Sequence, residues 1–362
     1  MRKHYLDNIR WLVQVFVVLY HVCFMYSSIM TTSTAGSVNG EQFIPGEIFE
    51  YAVYPWFMTV LFIVAGISSR LYLNTHTHKE FIRSRTVKLL VPSTIGVLVF
   101  GSVQGYLNMS FAAGAFESIA KAPFVLRYLI MCISGIGVLW FLQVLWVLSL
   151  VLVPVRNVEK DRLWKVCAKT PLVVLVLLAV PMFGAGLILN TPIISVYRFG
   201  LYGFAYFIGY FVFSHDEIIE KIKKFWFVFA VPALGTDIAF ICMYFGQNYA
   251  DRPVNRTILY SFCAYFMSVT VLALGAKFMD FRNNFTAWMS KEAWGIYIFH
   301  YIGISVVGLY VAPLGLPRLV VYPLTFIAGL AAGIMLYEII SRIPFLRWAV
   351  LGISKRKVKQ NV

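Results

Sequence analysis

Long apolar runs, separated by short polar and basic stretches, recur along almost the whole chain. Ten of them are long enough to read as helical membrane spans, over about 9–30, 48–72, 87–108, 137–155, 171–189, 193–213, 224–245, 257–277, 292–312 and 319–341. The stretch 121–136 reads either as an interfacial helix or as the start of a span. In a bilayer every backbone polar group needs an internal partner, so runs of this kind fold as helices. The pattern predicts an all-α fold: a polytopic transmembrane helical bundle of about ten spans. It forms a single membrane domain over 1–350, followed by a basic tail over 351–362.

Polar side chains interrupt the first run in a regular way. Arg10 and His21 are eleven positions apart, which on an α-helix is a turn of about 1100°, close to three full turns. Both therefore share one face, roughly 16 Å apart along the axis. Gln14 and Ser28 fall near the same stripe. A cation at the membrane edge thus leads to a histidine near mid-bilayer, where polar groups are expensive and mark functional sites by default.

Composition narrows the class. Hydrophobic residues make up 60% of the chain and charged residues only 13%, which leaves no stretch for a soluble domain. The net charge of +15 is explained by its distribution: with the N-terminus placed in the cytoplasm, 25 of the 31 basic residues fall on inner segments. Both termini are then cytoplasmic, the protein sits in the plasma or inner membrane, and the positive surface meets anionic membrane lipid rather than nucleic acid. The five cysteines are scattered without metal-ligand spacing, so no metal is expected.

Candidate chemistry follows from position. His21 is either a packed core histidine or a neutral base with a free nitrogen lone pair. Arg83, Arg85 and Lys88 cluster in HTHKEFIRSRTVKLLVP, as a topogenic cluster or as a site for cofactor phosphates. His300 lies nine residues beyond Lys291, at a depth similar to that of His21, with Tyr297 on the same face. The two histidines would form one centre if their helices touch. Trp140 and Gln143 lie near the outer end of the fourth span. Arg198 and Asp237 fall in the outer halves of the sixth and seventh, with mutual ion pairing as their simplest role. Glu338 and Arg342 read as a structural pair at four-residue spacing. A proton-coupled transporter would also carry intramembrane His and Arg/Asp residues, and is the competing reading.

The chain resembles the acyltransferase-3 family of integral membrane acyltransferases, which includes a glucan-biosynthesis succinyltransferase branch. The resemblance rests on YLDNIRWLVQVFVVLYH, with Arg10 and His21 at the family's spacing, on PWFMTVLFIVAGISSRL, and on the basic stretch ending RTVKLLVP. GVLWFLQVLW, YRFGLYGFAYFIGY, AWGIYIFHY and SRIPFLRWAVLG follow in family order. Two positions depart from the pattern: Lys88 stands where an arginine is usual, and Ala65 precedes Gly66 where many relatives have serine. The resemblance implies transfer of an acyl group, acetyl or succinyl, from cytosolic acyl-CoA to a hydroxyl of an extracytoplasmic envelope glycan or smaller acceptor. It implies His21 as general base, and Arg10, Gln14, Arg83, Arg85 and Lys88 as the cofactor-binding set. His300, Tyr297, Trp140, Gln143, Arg198 and Asp237 are then candidates for the acceptor side or the centre's lining.

Overall fold

The computed structural model describes residues 3–29, 38, 42–112, 114–191 and 196–354. The tail beyond 354 and the start of the sixth predicted span therefore lie outside the described residues. Within them the chain is helical, with one isolated bridge between Asn190 and Arg198 and no strand. In order the main helices are α1 (His4–Met25), α2 (Ile44–Val53), α3 (Phe57–Leu73), α4 (His78–Phe111), α5 (Phe124–Ser134) and α6 (Trp140–Glu159). They continue with α7 (Leu172–Gly186), α8 (Phe199–Phe211), α9 (Trp226–Tyr244), α10 (Ile258–Phe278), α11 (Asn284–Tyr310), α12 (Arg318–Arg342) and the short α13 (Pro344–Leu351). Counting α2 and α3 as one stretch, 8 of these are long and apolar enough to cross a membrane among the described residues.

The remaining predicted spans are shorter, for local reasons. The predicted span 171–189 divides at Leu178, because Pro181 has no N–H for the carbonyl of Leu177. The helix in the predicted span 193–213 has only 13 residues, or about 20 Å of axis, which is less than the hydrocarbon thickness. Pro55 likewise separates α2 from α3. The basic stretch ahead of the predicted span 87–108 is itself helical from His78 onward. Within α4, π-helical turns at Thr86–Leu90 and Val97–Gly101 flank Pro92, which leaves the carbonyl of Lys88 without its usual donor. The segment 121–136 holds the separate helix α5, whose Phe124, Val125 and Ile133 face outward.

The first helix is a seam between two apolar clusters. Ile9, Val13, Val17 and Phe24 recur at helical spacing on one face and enter the larger cluster with α3, α8 and α10. Val18, Val22 and Met25 lie on another face and enter a second cluster with α11 and α12. At 100° per residue, Arg10, Gln14 and His21 project between these faces. The polar stripe thus enters the interior without facing lipid.

Lipid offers helices no hydrophobic gain on association, so close approach has to come from small residues and van der Waals contact. At the α3–α8 crossing, Gly66 lies against the carbonyl of Tyr206 and Gly209 against that of Ile63. A methyl group at either would collide with backbone. Between α11 and α12, Gly303 faces the Ala328 carbonyl and Gly333 faces Ile296, which holds the helix that carries His300 against its neighbour.

Candidate functional site

The site begins at the end of the bundle where the basic residues gather. Arg10 donates from Nη1 to Asp7 Oδ1 at 2.6 Å and from Nη2 to the hydroxyl of Ser68. Ser68 in turn donates to the Val64 carbonyl at 2.7 Å, which fixes it on α3. Arg85 of α4 donates to Ser69 Oγ at 3.0 Å, and its guanidinium lies 5.1 Å from the ring centre of Phe81. Ser69 also receives the Tyr206 hydroxyl at 2.8 Å, so α3, α4 and α8 meet at one serine.

These residues open a cavity of about 520 Å³. Its polar rim carries Arg10, Ser68, Arg85 and Lys88; its inner walls are Leu61, Phe141, Leu142 and Leu145. Gln14 and Tyr297 line it more deeply. Arg83 does not line this cavity and is exposed on another face of α4, because residues two apart on a helix point away from each other. Gln14 is buried, and its Oε1 has no hydrogen-bond partner among the described residues. A buried amide oxygen without a donor, beside a cavity with a cationic rim and apolar walls, fits a slender amide-bearing chain that ends in phosphates.

One turn beyond Tyr297 the two intramembrane histidines meet. His300 Nε2 lies 3.0 Å from His21 Nδ1. The opposite nitrogen of His300, Nδ1, contacts the carbonyls of Ile296 at 2.7 Å and Tyr297 at 3.0 Å. A carbonyl only accepts, so Nδ1 of His300 carries the hydrogen and its Nε2 is an acceptor in the neutral ring. His21 must then donate from Nδ1. Its Nε2 keeps a lone pair. This tautomer assignment comes from the hydrogen-bond network. His300 is fully buried, whereas His21 retains partial exposure. Tyr20 and Tyr301 box the His21 ring edge-on, each at 5.1 Å.

The cavity stops short of this pair. Its lining reaches Gln14, two turns before His21 on α1, and Tyr297, one turn before His300 on α11. Tyr297 donates its hydroxyl to the Val138 carbonyl and stands between the cavity and the histidines.

The other sequence candidates are distributed around this axis. Gln143 donates to the Ser93 carbonyl at 2.9 Å and accepts from the Tyr197 hydroxyl, so it ties α6 to α4. Trp140 packs on Tyr202 with ring centres 5.5 Å apart. The expected ion pair between Arg198 and Asp237 does not form. Arg198 is buried among phenols, donating to Tyr260 at 2.5 Å and Tyr202 at 3.2 Å, whereas Asp237 accepts from the Cys263 thiol at 3.3 Å. Tyr260 and Cys263 lie one turn apart on α10, so the two charges approach the same helix at different levels. Glu338 pairs with Lys291 across the α11–α12 interface.

Two polar clusters are not apparent from sequence spacing alone. At the end opposite the basic residues, Glu50 is fully buried and accepts from the Tyr249 hydroxyl at 2.7 Å and from Ser27 at 3.1 Å. Tyr249 lies 3.2 Å from the Tyr20 hydroxyl, and Tyr20 flanks His21, so a polar chain reaches the histidine pair from that side as well. The signal for it is Glu47, Glu50 and Tyr54, which share one face of an otherwise apolar segment. At the basic end, Arg70 pairs with Asp161 and lies 3.9 Å over the ring of Trp164, which stacks on His215 at 4.1 Å. The bond from Arg70 holds the Asp161 carboxyl below the usual range, and burial pushes the His215 imidazole down.

This bundle, with its paired histidines and basic-rimmed cavity, is that of a multi-pass membrane acyltransferase: the chain belongs to the acyltransferase-3 family, whose acyltransferase-domain model matches residues 3–338. Among curated relatives, it is 22% identical to glucans biosynthesis protein C of Escherichia coli O6:K15:H31 over 381 residues, covering 97% of this chain and 94% of that one. The protein of the same name from Salmonella heidelberg is 20% identical over 387 residues, covering 99% and 97%. No solved structure matches the chain.

Proposed function

We propose that the protein is an O-acyltransferase of the plasma or inner membrane that takes its acyl group from cytosolic acyl-CoA. Acetyl is the first choice of group and succinyl the second; the acceptor is a hydroxyl of an extracytoplasmic glycan or a related smaller molecule. The observation that carries this reading is the His21–His300 contact at 3.0 Å, whose hydrogen-bond order leaves His21 Nε2 with a lone pair, just beyond Tyr297 at the inner end of the cavity.

In this reading the donor's phosphates stay beside Arg10, Arg85 and Lys88, and its amide-bearing arm runs past Gln14. Movement of the Tyr297 side chain opens the last turn to the histidines. The acceptor hydroxyl arrives from the opposite end, past Tyr20 and the Glu50–Tyr249 pair. His21 Nε2 takes the hydroxyl proton as the oxygen attacks the thioester carbonyl, and the C–O bond forms. His300 Nε2 accepts from Nδ1 of His21 throughout, which orients the ring and shares the charge it gains. As the C–S bond breaks, His21 returns its proton to the departing sulfur, leaving an ester and a free thiol. Both termini lie in the cytoplasm in this arrangement.

The test is to reconstitute the protein in sealed vesicles with labelled acetyl-CoA outside and a glycan acceptor inside. Free thiol outside, with an equal amount of label esterified inside, is the expected outcome. Substrate flux without thiol release would replace this reading with a proton-coupled carrier.

A further inference from the structure

A second cavity, of about 200 Å³, adjoins the donor cavity and shares Asp7 and Ser290 with it. It lies between the first turns of α1 and α11, and Arg282 and Lys291 contribute its cations. Its shape is set in advance. The Asn8 amide donates to the carbonyls of Met279 at 2.6 Å and Phe281 at 2.8 Å, which clamps the loop that carries Arg282. Asn283 caps α11 by accepting from the Thr286 N–H at 2.8 Å.

The charges in this cavity are unequally occupied. Asp7 is held by Arg10 at 2.6 Å, and Lys291 is shared between Glu292 at 2.8 Å and Glu338. Arg282 is exposed at the rim and has no ion pair among the described residues. The positive end of the 27-residue α11 adds to the field there. A planar guanidinium of this kind is suited to the oxygens of a phosphate monoester. Arg10, Arg85 and Lys88 already supply cations to the neighbouring donor cavity. A ligand spanning both spaces would need two separate anionic groups.

We infer that this second cavity seats the nucleotide end of the acyl donor, with Arg282 recognising the phosphate monoester on its ribose. The inference rests on the acyl-CoA reading above and extends the donor site onto α11 and the loop before it.

The test compares acetyl-CoA with acetyl-dephospho-CoA, which lacks that phosphate, using full-length protein in lipid nanodiscs. Wild type should show a KM for acetyl-CoA lower by on the order of tenfold, which is the worth of one charge-assisted hydrogen bond. Arg282→Ala should erase the difference by raising only the acetyl-CoA value, with kcat unchanged, and Arg282→Lys should restore part of it. Equal effects of Arg282→Ala on both donors, or a dependence on the nanodisc's anionic lipid content, would mean that the guanidinium serves a headgroup or the fold and would overturn the inference. Calorimetric titration with adenosine 3′,5′-bisphosphate separates the two proposals. Binding lost in Arg282→Ala supports the pocket even if neither donor turns over, whereas turnover of both donors without any such binding overturns the pocket alone.

Discussion

At His21 the two ring nitrogens carry different loads, and in the proposed mechanism that difference sets the chemistry. Nδ1 is bonded to His300, while Nε2 keeps its lone pair, which in the proposed mechanism takes the acceptor's proton. His300 is sealed from solvent and held by two carbonyls of its own helix, which suits the orienting part proposed for it. His300→Leu should lower kcat by about 10²-fold or more, the scale of a misplaced general base. His300→Gln offers an amide oxygen to the same N–H and should recover part of the loss. Equal loss in both variants would show that His300 serves packing alone. Arg198 gives a contrasting case: its buried charge is met by hydroxyls and ring faces of Tyr202 and Tyr260, with Tyr54 ring-on at 5.9 Å.

At the scale of the helix, position depends on how closely backbones approach. Gly66 and Gly209 bring α3 and α8 into backbone contact, which aligns Ser68 and Ser69 with Arg10 and Arg85. Gly66→Leu would force the crossing apart, at a cost of about 1–3 kcal/mol or more for overpacking. The expected result is a lower melting temperature in detergent together with weaker donor binding; an unchanged melting temperature would show that the crossing is not a constraint. Pro92 acts differently. By leaving the Lys88 carbonyl without its donor it fits the π-helical turn before it, and that turn brings Lys88 to the same rim as Arg85.

At the scale of the whole molecule, acid should loosen the basic end first. The His215 imidazole is pushed below its ordinary value of about 6.5 by burial, and the Asp161 carboxyl is held below the usual carboxylate range by Arg70. Each binds protons more readily in the unfolded chain. Stability is therefore full above about pH 6.5, falls as His215 titrates in the unfolded state, and falls again below about pH 3.9. Melting curves at pH 8 and pH 5 should show the first loss, and His215→Gln should lose less between those two values. An equal decline in the variant would place the acid sensitivity elsewhere.

How much of this was legible in the chain depends on range. The Arg10–Gln14–His21 stripe follows from helix geometry and was readable directly, as was the similar depth of His300. That α1 and α11 touch was not, because contact between distant helices depends on glycine faces such as Gly303 and Gly333 rather than on any local pattern. The same limit explains Arg198 and Asp237: spans adjacent in sequence need not present charges at one level. Glu50 is marked in the sequence only by the face it shares with Glu47 and Tyr54, in a stretch of ordinary composition, and its burial against Tyr249 depends on a distant helix connection.

The proposed acyl transfer requires His21 Nε2 to take the proton of the acceptor hydroxyl. The direct measurement is acyl transfer from labelled acetyl-CoA by purified His21→Ala in nanodiscs, alongside calorimetric binding of CoA. Transfer reduced by about 10²-fold or more with CoA binding retained is the predicted result. Wild-type transfer by the folded variant would contradict it.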